Sequence, residues 1–137
     1  MTSFDGYAYC YPENLMEKIL IVDDQPIICE LLSSLFSSDA MVKTSENLED
    51  AMAALCQQDF SLVISDLSLK GRNGREGFAI LNYIRSKSPN TKVIIMTGVS
   101  TADTKQEALT LGAAHFLAKP FDVSHFLSIV NSVRGVI

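Results

Sequence analysis

No apolar run in this chain approaches the roughly 20 residues that a membrane-crossing helix needs, and residues 1–17 carry acids where a secretory leader would place bases before an apolar stretch. A soluble, cytoplasmic protein with no membrane partner is therefore expected. Cysteine is scarce. Cys10, Cys29 and Cys56 form neither the close pairs of a zinc site nor the even set of a disulfide framework, which points to a reducing compartment. Glycine (7 residues) and proline (4) are few and scattered, which excludes collagen-like and low-complexity architectures, and no internal repeat is present. Bases are outnumbered, with 11 Lys and Arg against 16 acids. They are also dispersed, so the clustered positive footprint of a duplex-binding protein is missing and direct nucleic-acid binding is not expected.

What is present suits one domain with a sizeable core: 137 residues, 47% hydrophobic and 20% charged. Charge is unevenly placed. Through Asp66 the chain carries 12 acids and only Lys18 and Lys43, whereas the remainder carries nine bases and four acids. Such polarity can orient a charged partner.

Short β-rich runs alternate with helical periodicity five times, the pattern of a parallel α/β sheet. Strands are expected at Lys18–Val22, Ala40–Thr44, Ser61–Ser65, Lys92–Met96 and His115–Ala118. The second of these is weak, as an edge strand can be. The fourth is apolar throughout Val93–Met96, as expected of a strand covered on both faces. A first helix is expected from Pro26, a residue suited to an opening turn, to Ser37, with Ile27, Ile28, Leu31, Leu32, Leu35 and Phe36 on its apolar face. The second carries Leu48, Ala51, Met52 and Leu55, with Ser45 or Asn47 as its cap. The third places Phe78, Leu81 and Ile84 inward after a loop that Gly71, Gly74 and Gly77 extend to residue 77. A fourth starts near Thr101 with Ser100 and Asp103 as a weak capping box and stops around Gly112. A fifth follows Asp122, with Phe126, Ile129 or Val130, and Val133 facing in. Residues 1–17 fall outside this rhythm as an N-terminal extension to a domain spanning 18–137. Their aromatics, Phe4, Tyr7, Tyr9 and Tyr11, suggest that the extension docks on the domain or on a neighbouring molecule.

In open α/β sheets, functional groups gather at the carboxyl ends of the strands, near the point where strand order reverses. Asp23 and Asp24 end the first strand, Asp66 the third, Thr97 the fourth and Lys119 the fifth. Alone, each residue has an ordinary explanation: a cap before Pro26, a turn into the Gly-rich loop, a strand-end hydroxyl, a solvated lysine. Together they converge on one cleft. Two carboxylates about 5 Å apart repel by roughly 3 kcal/mol at an effective dielectric near 20, so three of them call for a cation.

The pieces ILIVDDQP, LVISDLSL, VIIMTG and GAAHFLAKPF, in this order and each at a strand end, make residues 18–134 resemble the receiver domain of two-component response regulators. The resemblance implies a CheY-like, flavodoxin-like (βα)5 fold, a doubly wound five-stranded parallel sheet in the order 2-1-3-4-5. It implies that Asp66 is the phosphoacceptor, that Asp24 binds Mg2+ directly, that Asp23 does so directly or through water, and that Ser68 offers its backbone carbonyl. Hard oxygen ligands with retained waters suit that ion. Lys119 would add positive charge, the Thr97 hydroxyl would bond a phosphoryl oxygen after transfer, and Phe116 would follow it inward as the aromatic switch. A cis Lys119–Pro120 bond is implied as well.

The implied partners are a sensor histidine kinase or a histidine phosphotransfer protein as donor, docking around helix one, and a downstream protein on the face of helix four, strand five and helix five. The chain is expected to be a monomer or weak homodimer, and a stand-alone receiver in preference to a piece of a longer regulator, with no turnover of an external substrate. Two departures from the usual pattern stand out. The loop between Asp66 and Gly77 is about three residues longer, with Lys70 in place of a proline, and Phe116 lacks the hydroxyl of the commoner tyrosine. Lys70, Arg72 and Arg75 either steer a phosphodonor or are simply solvated. His115 and His125 are assigned to packing or surface. Other readings remain. A haloacid dehalogenase-type phosphohydrolase would want an acid two residues after its nucleophile, where Ser68 and Gln25 stand. A flavodoxin-like binder would want a hydroxyl-rich phosphate loop in place of Asp23–Pro26. A degenerate receiver would bind partners without phosphorylation.

Overall fold

The computed structural model describes residues 16–36, 38, 40–69 and 74–135. Elements alternate as β1 (Glu17–Val22), α1 (Pro26–Ser34), β2 (Ala40–Ser45), α2 (Leu48–Gln57), β3 (Leu62–Asp66), α3 (Glu76–Lys87), β4 (Lys92–Thr97), α4 (Ala102–Thr110), β5 (His115–Ala118) and α5 (Val123–Arg134). The five strands form one parallel sheet in the order β2-β1-β3-β4-β5. Alternate strand residues feed two cores. On one face Ile19, Ile21, Ile64, Ile94 and Met96 pack against Cys29 and Leu32 of α1 and Phe126, Ile129 and Val130 of α5. On the other, Leu20, Val22, Val63, Val93 and Ile95 meet Leu55, Phe78, Leu81 and Ile84, which belong to α2 and α3, with Ala108 of α4. The central strands are therefore apolar on both sides, which is why their sequences read as unbroken runs. Cys29 and Cys56 are free thiols on helices that cover opposite faces, as expected.

Helix and strand ends differ from expectation in instructive ways. Helix α1 stops at Ser34, before the expected Ser37, because the N–H groups of Leu35 and Phe36 bond the carbonyls of Leu32 and Ser33, tightening the last turn. Ser37 itself lies outside the described residues. Asn47, rather than Ser45, caps α2 by accepting the Asp50 N–H at 2.8 Å; Ser45 closes β2. The capping box of α4 is Thr101 with Thr104, each hydroxyl accepting the other residue's N–H at 3.1 Å, and not Ser100 with Asp103. Strand β3 begins one residue late, at Leu62, and includes Asp66.

Gly77 lies inside the first turn of α3 rather than in the loop. Its N–H donates to the Leu67 carbonyl at 2.8 Å, and a Cβ there would stand 2.7 Å from the Leu67 Cα and 2.8 Å from the Asp66 carbonyl oxygen. Only glycine lets α3 approach the end of β3 so closely. The expectations for the aromatics of 1–15, for Cys10 and for Lys70, Gly71 and Arg72 fall outside the described residues. Among those residues no helix is long and apolar enough to cross a membrane.

Candidate functional site

Register brings the polar residues together. Val22 pairs with Ser65, so Asp23, one residue on, arrives beside Asp66; Thr97 pairs with Ala118, so Lys119 arrives beside both. Backbone bonds beyond the strand ends lock the arrangement: Asp23 N–H to the Ser45 carbonyl (3.1 Å), Leu67 N–H to that of Met96 (2.7 Å) and Lys119 N–H to that of Thr97 (2.8 Å). The result is a cleft of ≈ 500 Å³ bordered by Asp24, Gln25, Asp66, Ser68, Thr97 and Lys119.

Asp23 is fully buried; one oxygen accepts the Gln25 N–H at 2.9 Å and the other the Lys119 ammonium at 2.6 Å. Asp66, whose side chain is 11% exposed, accepts the same ammonium at 2.9 Å and the Ser68 N–H at 3.3 Å. One oxygen from each of Asp23, Asp24 and Asp66 lies within 4.8 Å of the others. Burial pushes the Asp66 carboxyl above the usual carboxylate range, and the nearby Asp23 charge adds to this, while Lys119 and the Ser68 N–H pull the other way. Burial works against the charged form of Lys119, yet its bonds to Asp23 and Asp66 prevail and hold its pKa above the ordinary lysine value.

Three carboxylates against one ammonium leave a formal excess of two negative charges, the charge of one divalent cation. Six-coordinate magnesium, with oxygens at about 2.1 Å, keeps its ligands within roughly 4.2 Å of one another. The triad is close to that spacing and presents only hard oxygen donors, so these residues fit the ion. Asp24 is half-buried and Ser68 exposed on the cleft, both open to an entering ion.

Thr97 is buried, and its hydroxyl stays within its own loop, accepting the Val99 N–H at 3.1 Å and reaching the Val99 carbonyl at 3.2 Å. Phe116 is 8% exposed and packs in the core that includes Ala108 and Ala113, beneath α4. The Lys119–Pro120 bond is cis. His115 and His125 are exposed, in line with their assignment to packing or surface. Arg75 pairs with Glu107 of α4 and lies over the Phe78 ring, 4.7 Å from its centre. One group went unnoticed in the sequence: Glu76, 2% exposed, whose carboxylate accepts the Leu69 N–H at 3.0 Å under the β3–α3 loop. The available signal, an acid opening a helix just before a glycine, is common wherever an acid favours a helix N-terminus.

A doubly wound α/β domain with an acidic triad, a lysine and a threonine at the carboxyl edge of its sheet has the architecture of a signalling receiver module. The chain belongs to the response regulator receiver domain family, whose model matches residues 19–131. Receiver domains of this kind serve two-component signalling, and response regulators are generally not metabolic enzymes. Response regulator protein FleR of Pseudomonas aeruginosa is 34% identical over 114 residues, 82% of this chain and 24% of that protein. PilR of the same organism is 33% identical over 115 residues, 83% of this chain and 25% of that protein. The chain thus spans about a quarter of these two relatives. Sporulation initiation phosphotransferase F of Bacillus subtilis is 36% identical over 116 residues, 84% of this chain and 91% of that protein. Among solved structures, chemotaxis response regulator CheY4 of Vibrio cholerae superposes with a TM-score of 0.75 at 28% identity, covering 86% of this chain and 98% of that one. The BeF3-activated DrrB receiver domain gives 0.77 at 28% identity, covering 88% and 98%.

Proposed function

We propose that the domain, residues 18–137, accepts a phosphoryl group on Asp66 from a phosphohistidine of a sensor kinase or histidine phosphotransfer protein and then switches a protein-binding face. The observation that carries this reading is the Asp66 carboxylate at the cleft wall, held by Lys119 at 2.9 Å with Asp23 on the other side of the same ammonium. An oxygen of Asp66 attacks phosphorus, the P–N bond breaks, and the donor imidazole leaves with the bonding pair. Phosphoryl transfer asks mainly for alignment and charge neutralisation. Lys119 supplies one fixed positive charge beside the acceptor. Asp23, Asp24, Asp66 and the Ser68 carbonyl would hold Mg2+, which when bound supplies positive charge for the phosphoryl oxygens.

Once Asp66 carries the phosphoryl group as an acyl phosphate, the Thr97 hydroxyl exchanges its Val99 partners for a phosphoryl oxygen. That exchange draws the loop after β4 toward the cleft. Phe116 packs beneath this region and secures the shifted loop, so the signal emerges on the face of α4, β5 and α5. The phosphotransferase named among the relatives supports the transfer reading. A cytoplasmic location, usual for the family, goes with this function, as does action through proteins rather than by direct contact with nucleic acid. The test is Mg2+-dependent labelling by acetyl phosphate or a phosphorylated kinase, read by intact-protein mass. Wild type should gain one phosphoryl group and Asp66→Asn none. Labelling of that variant at the wild-type level overturns the assignment, and labelling of neither protein would leave a receiver that binds partners without phosphorylation.

A further inference from the structure

Just after β3, the described residues of the turn toward α3 are held by groups already described. Leu67 is fixed on both sides, its N–H on the Met96 carbonyl and its carbonyl on the Gly77 N–H, and the Ser68 N–H rests on Asp66. The next peptide unit, which joins the Ser68 carbonyl to the Leu69 N–H, is held by Glu76 alone among the interactions of the described residues, Oε1 accepting that N–H at 3.0 Å.

Glu76 is an unusual residue to spend on one hydrogen bond. It is 2% exposed, and its Oε2 has no hydrogen-bond partner among the described residues. A carboxylate buried with half its capacity unused is unfavourable, and an acid that merely complemented the start of α3 could do so in water. The peptide it grips explains the placement. Among the described residues only the Lys119–Pro120 bond is cis, so the Ser68–Leu69 unit is trans and planar, and its carbonyl points away from its N–H. The N–H turns inward to Glu76, beside a Leu69 side chain that is 2% exposed. The carbonyl therefore turns to the opposite side, where Ser68 borders the cleft.

We propose that Glu76 is a positioning residue for the cation site: by gripping the Leu69 N–H it sets the rotation of the peptide plane whose other end, the Ser68 carbonyl, offers an oxygen to the metal. The inference rests on the reading of that carbonyl as a ligand. Without the grip, the plane turns freely and the carbonyl must be ordered when the ion binds, which weakens binding. Partners that orient a metal ligand typically change affinity by about 10- to 100-fold when removed.

Calorimetric titration of the full chain with Mg2+ alone tests this, with thermal unfolding recorded for each variant. Glu76→Gln keeps an oxygen acceptor and should bind within about two-fold of wild type, whereas Glu76→Met fills the space without an acceptor and should bind about ten-fold more weakly. A merely structural glutamate would lower the melting temperature of Glu76→Met while leaving the affinity of its folded form intact. That result overturns the proposal, as does equal weakening in Glu76→Gln, which would assign the effect to charge. Should Glu76→Met fail to fold, Glu76→Asp decides, since its shorter side chain keeps the charge but withdraws the oxygen: weaker binding than Glu76→Gln supports the inference, and wild-type affinity defeats it. Asp24→Asn separates this failure from that of the underlying reading. If it too binds Mg2+ as tightly as wild type, the triad is not the cation site at all.

Discussion

Replacing Lys119 with Met leaves Asp23 and Asp66 facing each other without the ammonium that joins them at 2.6 and 2.9 Å. At an effective dielectric near 20 each contact is a gross attraction of about 6 kcal/mol, most of it offset by the desolvation of the three charges. Removing one partner of a buried ion pair typically destabilises by about 3–5 kcal/mol. Because the Lys119 side chain keeps 21% of its exposure, the lower end applies, about 3 kcal/mol. For a domain of this size that is a fall in melting temperature of roughly 12 °C. Circular dichroism melts in a chelator should show it, and millimolar Mg2+ should restore more stability to the variant than to wild type, since the variant's acids have lost their built-in cation. The double variant Lys119→Met with Asp66→Asn should recover part of the loss, with a coupling of at least about 1 kcal/mol. A fall of less than about 2 °C in chelator, or strictly additive single effects, would refute the view that this amine holds the carboxylates together.

Three further outcomes are expected. Burial raises the Asp66 carboxyl, so its ionised form burdens the folded state; that burden is present above the folded-state pKa and vanishes as pH falls below the unfolded value of about 3.9. In chelator, Asp66→Asn should therefore melt above wild type at neutral pH, with the gap closing on acidification; a gap independent of pH speaks against the cause given. Lys119, raised by its two carboxylates, stabilises the fold below its unfolded pKa of about 10.4 and ceases to do so as pH climbs through the folded one, so the difference between wild type and Lys119→Met should shrink in strong alkali. Gly77→Ala, whose added methyl meets the backbone of Asp66 and Leu67, should cost about 1–3 kcal/mol in urea unfolding and weaken Mg2+ binding, and wild-type behaviour in both would show that α3 can withdraw without penalty.

The strand-end residues were legible because parallel sheets are a simple translation of sequence into space. An apolar run covered on both faces must be a central strand, and the polar residue that ends it must sit at one edge. Asp23, Asp24, Asp66, Thr97 and Lys119 were found this way, and the family resemblance supplied Ser68 and Phe116. Helix caps were harder, since Ser100 with Asp103 and Thr101 with Thr104 satisfy the same local rule, and only the bonds formed in the folded chain tell them apart. Gly77 misled for a related reason: glycine signals either a loop or a close approach, and the second is visible only against the backbone of β3.

Local periodicity and chain order thus determined the five βα units, the two-sided core and the edge at which the acids meet. Tertiary structure alone decided that one ammonium bridges Asp23 and Asp66, that the Thr97 hydroxyl holds its own loop, and that a glutamate at the start of α3 reaches under the turn to the Leu69 amide. The division has a physical origin. Burial of apolar surface follows a repeat written in neighbouring residues, whereas a hydrogen bond depends on ångström distances and angles that only the folded backbone sets.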